Sequence, residues 1–368
     1  MWARIWALAI KEFLALLRDK RSRFVVIGPP IIQLLVFGYA ATFDLNHIPY
    51  AVYNEDPGFA SRELLGRFQG SSIFQQVAVI QNNNQITPLI NHQRVLLVLH
   101  IDRNFTRDLL RHRSAKMQVI IDGRNSNTAT ITLNYVNSIL FSFNEYWAAT
   151  YNWAKPPAQL VIRSWFNPNL LSRWFIVPGI VALLMLLETL LVTGLSIARE
   201  REQGTFDQLL VTPMTPLVIL IGKALPGLII GWLEGTFIVV MAILWFQVPF
   251  LGSIFALSLG MFLFLLAAIG IGLMISSLAI TQQQGLLGVF MFMVPAIILS
   301  GFATPIANMP PLVQNLTYLN PMRYFLIIVR GVFLEGDGVN NLWSQYWPLI
   351  LIALFTMTSA ALLFRNRA

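Results

Sequence analysis

Six long runs in this chain are almost free of charge: Phe24–Phe43, Trp174–Ile197, Leu217–Phe246, Leu251–Ile280, Gly285–Phe302 and Trp347–Phe364. A helix needs about 20 apolar residues to cross the roughly 30 Å hydrocarbon layer of a bilayer, and these runs are near or above that length. No aqueous fold can bury so many such segments in 368 residues, of which 56% are hydrophobic and only 11% charged. Soluble domains carry about 25% charged residues. The expected fold is a polytopic α-helical membrane protein with six transmembrane helices and an α/β domain inserted between the first and second.

Residues 1–23 predict an amphipathic helix lying in the membrane interface. Arg4, Lys11 and Arg18 recur on one face, while Trp2, Ile5, Trp6, Ala9, Ile10, Phe13 and Leu17 line the other. The basic cluster Arg18–Arg23 marks a cytoplasmic border before the first span, 24–43. The competing reading of that span is a cleaved signal peptide. The long amphipathic leader and the poor cleavage context at Ala40-Ala41 argue against it. Pro29-Pro30 predicts a local bend or unwinding.

From 44 to 173 the composition becomes that of a soluble domain. Strands are expected at Tyr50–Asn54, Val77–Ile80, Val95–Ile101 and Met117–Asp122, alternating with helices at Gly58–Gln69, Asn83–Asn91 and Asn104–Arg113. A long helix follows over Ser126–Tyr151, broken by Lys155-Pro156-Pro157, and Leu160–Trp165 is a candidate final strand. This alternation implies an α/β domain around a largely buried sheet. With the first span starting inside, the domain lies outside. Further spans at 174–197, 217–246, 251–280, 285–302 and 347–364 return both termini to the cytoplasm. The loop at 198–216 and the uncharged polar turn Thr281–Gln284 lie there too, and the basic residues Arg4 to Arg23, Arg199, Arg201, Arg365 and Arg367 agree with this scheme. The net charge of +8 is spread over such borders rather than gathered in a patch, which excludes a nucleic-acid reading. Cysteine is absent, so disulfides and thiolate metal sites are excluded.

The loop 198–216 is a charged island with its own punctuation. Gly204 stops the preceding helix, Thr205 with Gln208 forms a capping box, and Phe206, Leu209 and Leu210 fall on one face of a short helix that Pro213 ends, so the loop is expected to present an apolar stripe to the aqueous side. Thr215-Pro216 then supplies the N-cap and first position of the next long helix. A bare hairpin needs none of this, although a loop helix that only packs on its own chain is the plain alternative. The run Arg199-Glu200-Arg201-Glu202-Gln203-Gly204-Thr205, followed by Leu209-Leu210 and Thr212-Pro213, resembles the first cytoplasmic loop of ABC-2 type transport permeases. The resemblance implies that Arg199, Glu200, Arg201, Glu202, Gly204, Thr205, Phe206, Leu209, Leu210 and Pro213 couple the spans to a separate ATP-binding subunit. The segment 303–346, with Pro305, Pro310, Pro311 and Pro321, is similar to the re-entrant outer region of the same family. Broken elements at membrane depth are tolerated only where protein or a water-filled cavity covers them. In outline the chain looks like the bacterial subgroup of multidrug or antibiotic exporters with a large outer domain.

The resemblance implies the membrane-spanning subunit of an ATP-driven exporter of amphiphilic or drug-like molecules, in a bacterial inner membrane. Its partners would be an ABC ATPase holding ATP and magnesium and a second permease, as a homodimer or a paralogous pair. A periplasmic adaptor is a further candidate. The chain itself is expected to bind no cofactor and to catalyse nothing. Gly222-Lys223 is followed by Ala224 inside an apolar helix and is no phosphate cradle. The histidines at 47, 92, 100 and 112 lack metal-ligand spacing, so no metal site is expected. Asp122–Asn127 reads as a helix cap, with reception of a substrate or periplasmic partner as the alternative. Glu188 and Glu234 lie inside spans, where a carboxyl group is a candidate for the substrate path. Each would meet a cationic substrate, carry a proton or bond across a subunit interface, against the alternative of a structural, protonated acid. They also define the rival functions: an ion-coupled secondary transporter acting through this pair, or a membrane-anchored receptor or scaffold acting through the outer domain.

Overall fold

The computed structural model describes residues 2–18, 20–40, 45, 47–153, 165–168, 171–206, 208, 211 and 215–367. The chain divides into two compact units, Met1–Thr42 with Ser164–Ala368, and Phe43–Arg163.

The smaller unit is built on a four-stranded sheet of β1 (Ile48–Asn54), β2 (Phe74–Val79), β3 (Leu97–Ile101) and β4 (Met117–Ile121), in the order β2-β1-β3-β4. β1 pairs parallel with β2 and β3, and β4 closes one edge antiparallel to β3. Parallel neighbours require crossovers, which here are α3 (Phe59–Gln69) and α4 (Ile86–Asn91). Ile48, Tyr50, Leu97, Leu99 and Ile101 face α3, α5 (Phe105–Leu110) and α6 (Ser126–Thr150), whose Phe68, Phe105, Phe143 and Trp147 complete the core. Ala51 and Val98 point the other way, onto Ile86 of α4. The central strands are therefore covered on both faces, which explains their unbroken aliphatic sequence. Edge strand β2 alternates instead, with Val77 and Val79 exposed. The expected break at Lys155–Pro157 and most of the expected strand Leu160–Trp165 lie outside the described residues; helix α6 already ends at Thr150.

In the larger unit α1 (Trp2–Arg18) is followed by α2 (Lys20–Ala40), which runs through Pro29 and Pro30 without the expected interruption. Then come α7 (Ser172–Gly194), α8 (Ser196–Glu202), α9 (Pro216–Leu244), α10 (Ile254–Leu278), α11 (Gln282–Ile298), α12 (Pro311–Leu316), α13 (Pro321–Arg330) and α14 (Trp343–Arg367). Among the described residues, four helices are long and apolar enough to cross a membrane: Ser172–Glu202, Pro216–Leu244, Ile254–Leu278 and Trp343–Arg365. Two apolar helices are shorter, Gly28–Tyr39 and Gln282–Ile298.

Helix α10 is the hub, packed by α7, α14, α13 and α9. The stretch 303–346 is not a loose loop. Pro321 starts α13 at its first turn, Asn320 caps it by accepting from Met322 N at 3.0 Å, and the same side chain donates to Ala296 O of α11 at 2.6 Å. Phe325 then stacks on Phe264 of α10 with centroids 4.4 Å apart. Where α7 meets α10 the backbones come so close that a Cβ on Gly272 would sit 1.9 Å from Thr193 Oγ1.

Gly272→Ala is accordingly expected to destabilise the protein by about 1–3 kcal/mol through overpacking. Gly66→Ala, inside α3 with open space around the added methyl, is expected to gain about 0.4–1 kcal/mol. Thermal unfolding of the two variants in one detergent checks the contrast.

Candidate functional site

The charged loop is held to the rest of its unit at four places. Its helix α8 ends in a Schellman turn: Thr205 N donates to Glu200 O at 3.0 Å, Gly204 N to Arg201 O at 3.1 Å, and Gly204 has φ +69°. Only glycine takes that angle without strain, which fixes where the charged run stops.

At its start α8 borrows a cap from another helix. Ser276 Oγ of α10 accepts from the backbone N–H groups of Ile197 and Ala198 at 2.9 and 3.1 Å. The next two charges serve helix ends in turn. Arg201 donates to the carbonyls of Ser277 and Ala279 at 2.8 and 3.1 Å, closing the C-terminus of α10. Glu202 Oε2 accepts from Gln282 N at 2.6 Å, at the N-terminus of α11. Each sign matches the partial charge of the helix end it meets.

Glu200 takes part in a buried ion cluster. Its Oε1 lies 2.9 Å from Lys11 Nζ of α1 and 3.6 Å from Lys223 Nζ of α9. Lys223 also pairs with Glu12 Oε1 at 2.8 Å and contacts Ser196 Oγ at 3.3 Å. Thr205 donates its hydroxyl back to Glu200 Oε2. The Lys223 side chain is wholly buried, whereas that of Lys11 is 54% exposed. A lysine this deep is tolerable only because two carboxylates and a hydroxyl surround it.

Phe206 corrects the expected outward apolar stripe. It is buried, edge-on to the Phe364 ring at 5.9 Å and beneath the Arg201 guanidinium at 4.7 Å. An aromatic ring with such neighbours gains more by burial than by display. Leu209, Leu210 and Pro213 lie outside the described residues, and Val211 is 84% exposed. Arg199 is half-buried.

A family model described as "ABC-2 family transporter protein" matches residues 20–364. The chain belongs to the ABC-2 transporter family. It is similar to "Probable multidrug ABC transporter permease YbhR" of Escherichia coli, 41% identical with both chains covered completely. Other relatives from the same organism are "Probable multidrug ABC transporter permease YbhS", 29% identical over 98% of this chain and 94% of the relative, and "Inner membrane transport permease YhhJ", 28% identical over 98% and 97%. The chain is thus the permease, a transport subunit, and ATP hydrolysis falls to a separate subunit.

The permease brings its two intramembrane acids together. Glu188 of α7 and Glu234 of α9 lie within electrostatic reach of each other on facing helices. In the smaller unit Asp122–Asn127 folds as a helix cap, with Asn125 Oδ1 accepting from Thr128 N at 3.2 Å. Arg124, hydrogen-bonded to Asp122, holds that carboxyl below its usual range. Among the described residues no group of three or more His, Asp or Glu side chains is arranged to hold a metal.

Sequence reasoning passed over Lys223 and Glu12. The available signal was an unpaired lysine in an otherwise apolar helix, which demands a carboxylate from elsewhere.

Lys223→Ala strands two acids in a buried place, for an expected loss of about 3–5 kcal/mol. Lys11→Ala removes an exposed partner, for about 0.2–1 kcal/mol. Thermal unfolding of the singles and of Lys223→Ala with Glu12→Gln tests this, since the double variant is expected to recover part of the loss.

Proposed function

We propose that this permease exports amphiphilic, drug-like molecules from the cytoplasm or inner leaflet, driven by an ATPase docked on residues 198–216. The observation that carries the reading is the fourfold anchoring of that loop. Glu200, Arg201 and Glu202 tie it to α1, α9, α10 and α11, so a displacement at the loop moves whole helices instead of being absorbed by a flexible hairpin. Nucleotide on the partner then biases one arrangement of the spans over another, as differential contact requires. The relatives named as multidrug permeases support the substrate class.

In this reading α2 and α11 complete six spans with α7, α9, α10 and α14, in a bacterial inner membrane. Both termini and the loop 198–216 face the cytoplasm, and the α/β unit faces outside, where a periplasmic adaptor has access to it. A second permease, as an identical or paralogous copy, completes the translocation path. The described part of the loop offers the exposed Val211 and Gln208 to the ATPase, while Phe206 acts from inside by holding α8 against α14.

Two experiments test the reading. Tagged wild type in mild detergent is expected to bring down an ATPase, and Val211→Asp to reduce the co-purified ATP hydrolysis about tenfold, as a central interface residue would. No hydrolysis with the wild type, or equal hydrolysis with the variant, counts against docking at this loop. The chain has no native cysteine, so single cysteines report topology. Arg113→Cys is expected to react with an impermeant maleimide on intact cells, and Gln203→Cys only after the membrane is opened.

A further inference from the structure

We propose that Arg330, with the indole N–H of Trp174, binds the phosphate of a membrane phospholipid at the end of the bundle where α7 begins. The proposal needs only that α7 spans the bilayer, and it stands whatever the permease exports.

Two contacts set the register of α13 on α7. A Cβ on Gly179 would lie 3.6 Å from Leu326 Cδ2. Four residues along each helix, the Phe175 ring lies against the Arg330 guanidinium, its centroid 3.9 Å away. Arg330 therefore stands level with the first turn of the spanning helix Ser172–Glu202. The end of a span is where hydrocarbon gives way to headgroups, and where indoles and snorkelling arginines settle.

The donors at this level have nothing to donate to. Arg330 Nε and Nη2 and Trp174 Nε1 are buried without a hydrogen-bond partner. Among the described residues no Asp or Glu forms an ion pair with Arg330. Arg323, about two turns earlier on the same helix, shows an arginine satisfied within the chain. It donates to the Thr317 hydroxyl and lies 4.1 Å from the Tyr318 ring centroid. Arg330 has the ring and lacks the acceptor. Its place in the last turn of α13 suits the helix dipole, and the Phe175 ring offsets part of its charge, but neither accepts an N–H. Buried donors left so are costly, and in native proteins they call for a partner.

The ligand's charge follows from the kind of group left over. A guanidinium is permanently charged and only donates, and an indole N–H only donates. What both lack is an acceptor, and for the guanidinium an anion. Arginine grips phosphate through two parallel N–H bonds, and the edge formed by Nε and Nη2 is one that makes them. Those are the two nitrogens left unpaired. At the border of a bilayer the abundant phosphate is that of the phospholipids themselves.

A headgroup needs an open edge rather than a chamber. Arg330 as a whole is half-buried, and Nη1 is not among its buried atoms. The outer torsions of the side chain let the Nε–Nη2 edge turn toward that opening. Phe175 is 41% exposed, and Ile327, one turn before Arg330 on α13, is 42% exposed. Both offer an acyl chain apolar surface beside the guanidinium.

The test measures binding to the purified full-length protein in detergent by native mass spectrometry. The probe is dioleoylphosphatidylglycerol. Dioleoylglycerol supplies the same chains without phosphate, and glycerol 3-phosphate supplies phosphate without chains. One phosphatidylglycerol is expected to bind at least about tenfold more tightly than dioleoylglycerol. Arg330→Gln is expected to weaken it at least about tenfold and Trp174→Phe about threefold, as losses of a charged and a neutral hydrogen bond do. Arg330→Lys, which keeps the charge without the fork, is expected to recover only part of the loss. Equal phosphatidylglycerol binding by wild type and Arg330→Gln, as a non-specific lipid shell would give, overturns the site. Equal binding of the two lipids overturns it too. Glycerol 3-phosphate bound as tightly as the phospholipid, and lost in Arg330→Gln, overturns the lipid assignment in favour of a soluble phosphate compound. If Arg330→Gln fails to fold, the wild type decides: phosphatidylglycerol is expected to raise its melting temperature and dioleoylglycerol to leave it unchanged, and an equal shift with both refutes the site.

Discussion

The buried ammonium of Lys223 is the constraint on which the end of the bundle formed by α1, α8 and α9 depends. A lone lysine in an apolar helix costs about 2.5–3.5 kcal/mol at membrane depth, and more where protein excludes water. The structure meets that demand by bringing Glu12 from the first helix and Glu200 from the loop to the same atom, with Ser196 beside them. Three segments distant in sequence must therefore arrive together for any of them to be stable. Lys11, half in water, adds a weaker outer contact to Glu200.

Around that cluster the loop works as a set of helix caps. The alternating charges of Arg199–Glu202 look like a solvated run in sequence, but Arg201 and Glu202 meet backbone groups: carbonyls at the end of α10 and an N–H at the start of α11. Backbone groups at helix ends near a membrane have few alternatives, so caps supplied from another element bind firmly. The loop is consequently tied to α1, α9, α10 and α11.

Much of this was legible in the residues. Apolar run length identified the four helices long enough to cross a membrane, and Gly204, Thr215 and Pro216 marked the ends of their elements because their backbone preferences act within a turn. The α/β unit was readable for the same local reason: aliphatic stretches of strand length alternate with amphipathic ones. The charged loop carried the family resemblance, since its pattern is contiguous. What was misread involved partners far away in sequence. Phe206 was placed on an outward face because its helical position allowed it, yet Phe364, near the other end of the chain, covers it. Lys223 was weighed only as part of a phosphate motif, because its two acids lie outside its own helix.

The sequence by itself determined that the chain is a mostly helical membrane protein with helices of spanning length, and which family the loop resembles. Those properties follow from hydrophobic length and from interactions within four residues. Only the tertiary structure decided which charges neutralise one another and which stay unpaired. An ion pair depends on distance in space, and linear order says nothing about the 211 positions that separate Glu12 from Lys223.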